Sequence, residues 1–398
     1  MATFDVARAR RETPGCEGRI HLNNAGASLM PQPVVQAIKG HIDLEAVTGG
    51  YEAAAIKADA LEGVYRSAAR LVGGQAEEIA LFDGVTRAWN SLFHGAVTAM
   101  RIGEGDVVLT CLAEYCSNHT AMIQLSRRFG FTIEVIPDDG HGQIDLEALE
   151  RALKNPAVKL LSLVHVPTNG GLVNPAEEAG ALAKGAGVPM FLDAAQSAGQ
   201  IPLNVDAIGC DVLVAAGRKF LRGPRGIALA WVNGAVMERI EPMLLNMKAT
   251  TLIAEDDYEV APGAARYESW ERSAALDLGL GAAIDYALDW GIAPIQARIT
   301  ELADFLRAQL SDIRGVEVKD KGRHKCGIVT MTLGEHEPAQ VMSVLFDQSI
   351  NVTVSPPHMA FIDSNRRGLP PMLRASVHYY NTEEELERFC SALAQQLT

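Results

Sequence analysis

Short continuous apolar runs alternate with helix-like stretches through the first two-thirds of the chain. The runs are EIALFD (78–83), VVLTC (107–111), TIEVIP (132–137), KLLSLVHV (159–166), VPMFLD (188–193), VLVAAG (212–217) and IALAWV (227–232). Most lack the apolar–polar alternation of a half-exposed strand, so they predict strands covered on both faces. Between many of them lie helical patterns such as DLEALERALK (145–154) and PAEEAGALAKGAG (175–187). Repeated β–α alternation predicts an α/β fold, a seven-stranded, mainly parallel sheet sandwiched by helices. IALAWV follows VLVAAG too closely for a helical crossover, which predicts an antiparallel or rearranged pair at an edge.

After about residue 262 the pattern changes. Helices are predicted through 273–290 and 295–312, then strands at VEVKD, GIVTMTL and NVTVSP, then a terminal helix at TEEELERFCSALAQQL. The expected layout is an N-terminal arm (1–30) packing with a small domain, a large domain (31–262) and a smaller α+β C-terminal domain (263–398). Its 398 residues suit two or three domains at roughly 100–200 residues each.

Composition narrows the functional classes. Apolar residues make up 48%, and 35 basic against 49 acidic residues leave a net charge of −14. That excludes nonspecific binding to nucleic acid or an anionic membrane, both of which need basic surface. A small anionic substrate stays open, because a few local arginines suffice. The six cysteines are scattered rather than arranged as a disulfide framework, so a reduced, cytoplasmic protein is expected. No secretory h-region follows the N-terminus, and no run of ~18 apolar residues suggests a membrane span. Cys111 and Cys116 have no partner pair at zinc spacing, so no metal is expected. DLGLGAAIDY (277–286) lacks the third glycine of a dinucleotide fingerprint.

The segment FLDAAQSAGQIPLNVDAIGCDVLVAAGRKFLRGPRG (191–226) carries the candidate chemistry. Asp193 ends a buried strand, where open α/β sheets bind ligands. Lys219 follows the next strand in a glycine-rich turn. Pyridoxal 5′-phosphate (PLP) needs a carboxylate at its pyridine nitrogen, to keep the ring an electron sink, and a lysine for its aldehyde. Asp193 and Lys219 supply these, and Gln196 can reach the phenolic oxygen. Taken alone, such an aspartate is more often a cap and such a lysine solvated. The joint pattern is rarer by chance, because further matching parts accompany it.

From IHLNNAGAS (20–28) to RASVHYYNTEEELERF (374–389) the chain resembles the class V aminotransferase and cysteine desulfurase branch of fold-type I PLP enzymes. The resemblance implies the fold-type I transferase architecture and a homodimer with shared sites. In DGVT it implies that Gly84, Val85 and Thr86 open a helix at the cofactor phosphate. In AEYCSN it places Tyr115 over the pyridine ring. It assigns Thr168, Asp193, Gln196, Arg218 and Glu271 to the cofactor, and Lys219 as the catalytic residue that binds it as a Schiff base. It assigns Asn24, Ala25, Gly26, Tyr51, Trp270 and Arg374 to an amino-acid substrate, with Arg374 pairing the carboxylate. Each has a plainer alternative: core packing for Tyr115, a helix start for Thr86, a surface ion pair for Arg374, a turn for 24–26.

Two departures matter. Desulfurases of this kind carry a catalytic cysteine shortly before the substrate arginine, but here SPPHMAFIDSNRRGLPPMLR (355–374) has none. A persulfide-forming enzyme needs a thiolate there, so that activity is not expected. The family also commonly places His beside the lysine, with a hydroxyl residue two before it. Here the run is Ala216-Gly217-Arg218-Lys219, and Arg218 supplies a permanent, forked cation to the phosphate instead. Trp270 and Glu271 stand where the family uses a GT-type turn, with Glu271 available to Arg218 of a second subunit. Together with GGYEAA (49–54), these features are similar to the hercynylcysteine sulfoxide lyases of ergothioneine biosynthesis. The implied reaction is β-elimination at a C–S bond, releasing pyruvate and ammonia, with Lys219 as general base. A transaminase or an epimerase would use the same carbanion. A non-catalytic scaffold is disfavoured by the intact set of Asp193, Gln196, Lys219 and Arg374.

Overall fold

The computed structural model describes residues 4–397. The seven apolar runs form the strands β1 (Ile79–Phe82), β2 (Val107–Cys111), β3 (Thr132–Ile136), β4 (Val158–Val164), β5 (Met190–Asp193), β6 (Val212–Ala216) and β7 (Ala228–Val232). They make one sheet in the order β1-β7-β6-β5-β4-β2-β3. Neighbours from β6 to β3 run parallel, and β7 is antiparallel to both β6 and β1. The short link from β6 to β7 has room only for the antiparallel return. Every residue of β1, β5, β6 and β7 is buried, whereas the edge strand β3 leaves Thr132 and Glu134 exposed.

The strand order reverses between β2 and β4, since β3 lies outside β2 and the chain then returns to its other side. At such a switch point the loops leaving the carboxyl ends of adjacent strands diverge, and a crevice opens. The loops after β2, β4, β5 and β6 therefore converge on one place, above the middle of the sheet.

Helices cover the sheet, among them α1 (Gln32–Thr48), α2 (Ala58–Val72), α3 (Val85–Ala99) and α4 (Cys116–Phe129). A later helix, α5 (Ala274–Trp290), packs along α1 and α2. Gly281 on α5 permits this approach: a Cβ there would lie 2.9 Å from Val64 Cγ2 on α2. The glycines of DLGLGAAIDY thus serve helix packing.

The C-terminal sheet comprises β8 (Glu317–Val318), β9 (Ile328–Thr332), β10 (Thr353–Ser355) and β11 (Met372–Ser376), in the antiparallel order β8-β9-β11-β10. The N-terminal segment reaches this part of the molecule. Ile20 and His21 pair with Ile350 and Asn351, and Asn23 bridges to Ser376 at the end of β11. The final helix, Glu383–Gln396, begins with a capping box between Thr382 and Glu385. Among the described residues no helix is long and apolar enough to cross a membrane.

Candidate active site

A cavity of about 140 Å³ sits at the switch point, lined by Gly84, Val85, Thr86, Tyr115, Thr168, Asp193, Gln196, Arg218 and Lys219, with Val164, Val166, Ala195 and Ala216 between them. These are the candidate cofactor residues other than Glu271. A larger cleft of about 690 Å³ opens behind His165, but it holds neither Lys219 nor Asp193. The candidate residues gather in the smaller one.

Asp193 ends β5, is 4% exposed, and is fixed at both oxygens. Its Oδ1 accepts from the Ala195 amide at 2.9 Å, and its Oδ2 accepts from Asn118 Nδ2 at 2.9 Å. Lys219 follows β6 in a tight loop. The Gly223 amide closes back on the Gly217 carbonyl at 2.8 Å, and the Arg222 amide on the Lys219 carbonyl at 2.9 Å. Gly199 packs directly under this loop with φ +92°; a Cβ there would come within 2.4 Å of the Phe220 backbone. Burial depresses the Lys219 amine from an ordinary 10.5 to about 7; the Asp193 charge opposes the shift, and Arg218 and Arg374 add to it.

The other end of the cavity suits an anion. Gly84 to Thr86 begin α3 with no side-chain cap on its amides, and unsatisfied helix-start amides favour phosphate. Arg218 lines the same cavity. Tyr115 stands half-buried just before α4.

Arg374 projects from β11, only 6% exposed. Its Nη1 donates to the Thr168 carbonyl at 2.9 Å and to Thr168 Oγ1 at 3.0 Å. Thr168 therefore spends its polar groups on positioning Arg374. The buried Arg374 Nε has no hydrogen-bond partner among the described residues, and no carboxylate pairs with this guanidinium there. Burial lowers it to about 10, with Arg218 adding and Tyr115 opposing. A buried, unpaired cation beside a cavity is costly unless an anion arrives.

The remaining candidates are placed differently. Asn24 is fully buried, its Nδ2 donating to the Ser376 carbonyl at 2.7 Å and to the His21 carbonyl at 3.3 Å, and its Oδ1 accepting from the Tyr380 hydroxyl. That side chain ties the N-terminal segment to the strand region around β11. The Ala25 carbonyl accepts from Gln196 Nε2 at 3.1 Å, so this turn does reach the cavity wall. The Gly26 amide closes the turn on the Asn23 carbonyl at 3.0 Å. Tyr51 and Trp270 are 76% and 51% exposed, and Glu271 is exposed as well. None of these three lines the cavity of its own chain.

Sequence reasoning passed over three residues. Glu114 and Asn118 form a polar layer beneath Asp193, four residues apart across the start of α4. Arg222 is 1% exposed, at φ +61°. It donates to the Leu29 carbonyl (2.9 Å), Tyr379 Oη (2.6 Å) and Thr13 Oγ1 (2.5 Å), with Tyr380's ring 4.6 Å away. It binds the Lys219 loop to both ends of the chain. The only signal for it was an extra arginine in RKFLRGPRG.

An amine of lowered proton affinity, a fixed carboxylate, an anion-binding helix start with an arginine, and an aromatic ring together fit PLP. The buried Gln196 Oε1, without a partner among the described residues, adds polar capacity at the wall. Asp193 would hold the ring nitrogen, Lys219 the aldehyde carbon, and Gly84–Thr86 with Arg218 the phosphate.

Comparison with known proteins agrees. The family model described as Aminotransferase class-V matches residues 20–389. A probable cysteine desulfurase of Methanothermobacter thermautotrophicus is 28% identical, over 97% of this chain and 96% of the relative. The apo structure of a cysteine desulfurase from Thermococcus onnurineus superposes with a TM-score of 0.92 at 26% identity, covering 100% of this chain and 99% of that one. The cystine C–S lyase C-DES, solved with cysteine persulfide, gives a TM-score of 0.84 at 22% identity over 96% of this chain and 99% of that one, a likeness of fold.

Proposed function

Because this chain belongs to the class V aminotransferase family of PLP-dependent enzymes, we propose that it cleaves the C–S bond of a cysteine-derived amino acid by β-elimination, in the manner of the hercynylcysteine sulfoxide lyases. The observation that carries this reading is the loop before Arg374. Residues 357–367 form a short 3₁₀ turn and a helix. Just before this segment, Ser355 Oγ donates to Oδ1 of Asn169, the neighbour of the cavity residue Thr168, at 2.6 Å, and the segment's Asp363 amide donates to the Leu112 carbonyl at 3.1 Å. It presents no thiol to accept sulfur.

Bound PLP supplies an electron sink for negative charge at Cα. Arg374 holds the substrate carboxylate, which orients the Cα–H bond. The Lys219 amine, of lowered proton affinity, takes the Cα proton as general base. Sulfur then leaves Cβ with its bonding pair, and the three-carbon remainder hydrolyses to pyruvate and ammonia.

Desulfuration is the second reading, favoured by the names of the relatives. It would need another thiol, and Cys116 is the one free cysteine among the described residues that is not buried. Products separate the two. With the holoenzyme and cysteine S-conjugates or sulfoxides, pyruvate and ammonia should appear in equal amounts. Alanine with a protein-bound persulfide, formed from free cysteine in place of the conjugates, would replace this proposal by desulfuration. An oxo acid with pyridoxamine phosphate would indicate transamination, and an inverted Cα would indicate epimerisation.

The acting unit in this proposal is a homodimer. Ile42, Val47, Tyr51 and Ile56 are exposed along residues 42–56, Met243, Leu244, Leu245 and Met247 along residues 243–247, and Trp270 is exposed as well. Apolar surface of this extent favours a protein partner. A second copy would also bring Tyr51, Trp270 and Glu271 to the neighbouring cavity. Sedimentation should show a dimer, and Trp270→Asp should weaken it. A monomer turning over at full rate would refute the shared site.

A further inference from the structure

Beneath Asp193 lies a second carboxylate with no salt-bridge partner among the described residues. Glu114 is 1% exposed, and each of its oxygens accepts two hydrogen bonds. Oε2 takes Thr110 Oγ1 and Ser162 Oγ, both at 2.8 Å. Oε1 takes the Tyr115 amide at 2.8 Å and Asn118 Nδ2 at 3.0 Å. The same Asn118 nitrogen donates its other hydrogen to Asp193 Oδ2 at 2.9 Å. Two buried carboxylates thus share one amide nitrogen, and no lysine or arginine forms a salt bridge to either among the described residues.

Such a pair repels itself and favours an arriving cation over a neutral group. We propose that Glu114 is a positioning residue that acts through Asn118 and Asp193 to keep the cofactor's ring nitrogen protonated. This rests on the reading that Asp193 meets that nitrogen. Glu114 also fixes Tyr115, because the Tyr115 amide is one of its four donors. Burial and the Asp193 charge raise the Glu114 carboxyl to about 7, while the hydrogen bonds from Ser162, Thr110 and Asn118 oppose them. The carboxyl is therefore responsive to neighbouring charge, and a cation at the ring nitrogen favours its ionised form.

The test compares PLP with its 1-deaza analogue, which has a ring CH in place of the nitrogen and carries no ring proton. Apoprotein affinities for both are measured by titration, with melting temperatures on the same preparations. The wild type should prefer PLP. Glu114→Gln should reduce that preference about tenfold, the equivalent of one unit of proton affinity. Asn118→Ala should do the same, and Glu114→Gln added to Asn118→Ala should cause little further loss. Thr110→Val, nearly isosteric, removes one donor that favours the ionised carboxylate and should shift the preference in the same direction; it decides the matter if Glu114→Gln does not fold. Weaker binding of both ligands with the preference intact would make Glu114 merely structural and overturn the proposal. A wild type with no preference for PLP would instead overturn the pairing of Asp193 with the ring nitrogen.

Discussion

Replacing Lys219 by Ala should lower kcat by about four orders of magnitude or more, the combined loss of a covalent attachment and a positioned base. The variant should still fold and still bind PLP, because Asp193, Arg218 and the start of α3 are untouched. Borohydride should fix the cofactor to Lys219 in the wild type and to no lysine in the variant. Labelling of a different lysine in the wild type would sink the assignment. Burial of this amine also sets a pH signature. Its proton affinity is lowered from 10.5 to about 7, so much of it is free base at neutral pH. Uptake of PLP by the apoprotein should rise with pH through about 7 and then level off, instead of climbing toward 10.5. The linked stability term has a definite sign. Between about 7 and 10.5 the unfolded chain holds the proton and the folded one does not, so this residue's contribution to apoprotein stability rises with pH across that window. Lys219→Ala should remove that slope, a change readable by denaturant unfolding of the two apoproteins side by side.

The fold was readable because burial on both faces leaves a plain mark. Runs such as FLD before Ala194 and VLVAA before Gly217 have no polar residue until the strand ends; Asp193 ends the first, and Lys219 follows the second by three residues. Even the antiparallel return of β7 followed from counting the residues available for a crossover. What the pattern did not show is polar residues that act from inside. Glu114 and Asn118 sit in a helix-start segment where acidic and amide residues usually cap and face solvent, so nothing local distinguishes their burial. Arg222 reads as a surface cation in a loop, and only the three-dimensional meeting of residues 13, 29 and 379 shows it enclosed. Asn24 misleads in the opposite direction. It lies in a segment that reaches the cavity wall, but its side chain is consumed by Ser376, His21 and Tyr380. Tyr51, Trp270 and Glu271 illustrate a third limit: all three are exposed in their own chain, and one chain's sequence does not say what would cover them.

Arg374→Lys should lower kcat/KM by roughly ten- to a thousandfold, about 1.4–4 kcal/mol of transition-state binding, with PLP affinity nearly unchanged. The structure makes the reason specific. Nη1 is already occupied by the carbonyl and hydroxyl of Thr168, while the buried Nε is unpartnered among the described residues. The guanidinium can therefore hold Thr168 on one side and present its Nε edge to a carboxylate on another. An ammonium has no such second edge and loses the forked geometry. It is also in danger of losing its charge. The site is hostile enough to cations to bring an arginine down to about 10, and a lysine starts from a lower value and desolvates at greater cost. At neutral pH part of the variant would be a neutral amine, so its remaining activity should fall further as pH rises, a trend absent from the wild type's substrate binding. If Arg374 were only a strut for Thr168, the change would show instead as a lower melting temperature or weaker PLP uptake, with kcat/KM recovered once the site was saturated with cofactor. Measuring the melting curve, the cofactor titration and the kinetics on one preparation separates the two. Normal kcat/KM in Arg374→Lys would mean that the substrate carboxylate binds elsewhere, with Arg218 the next cation to test.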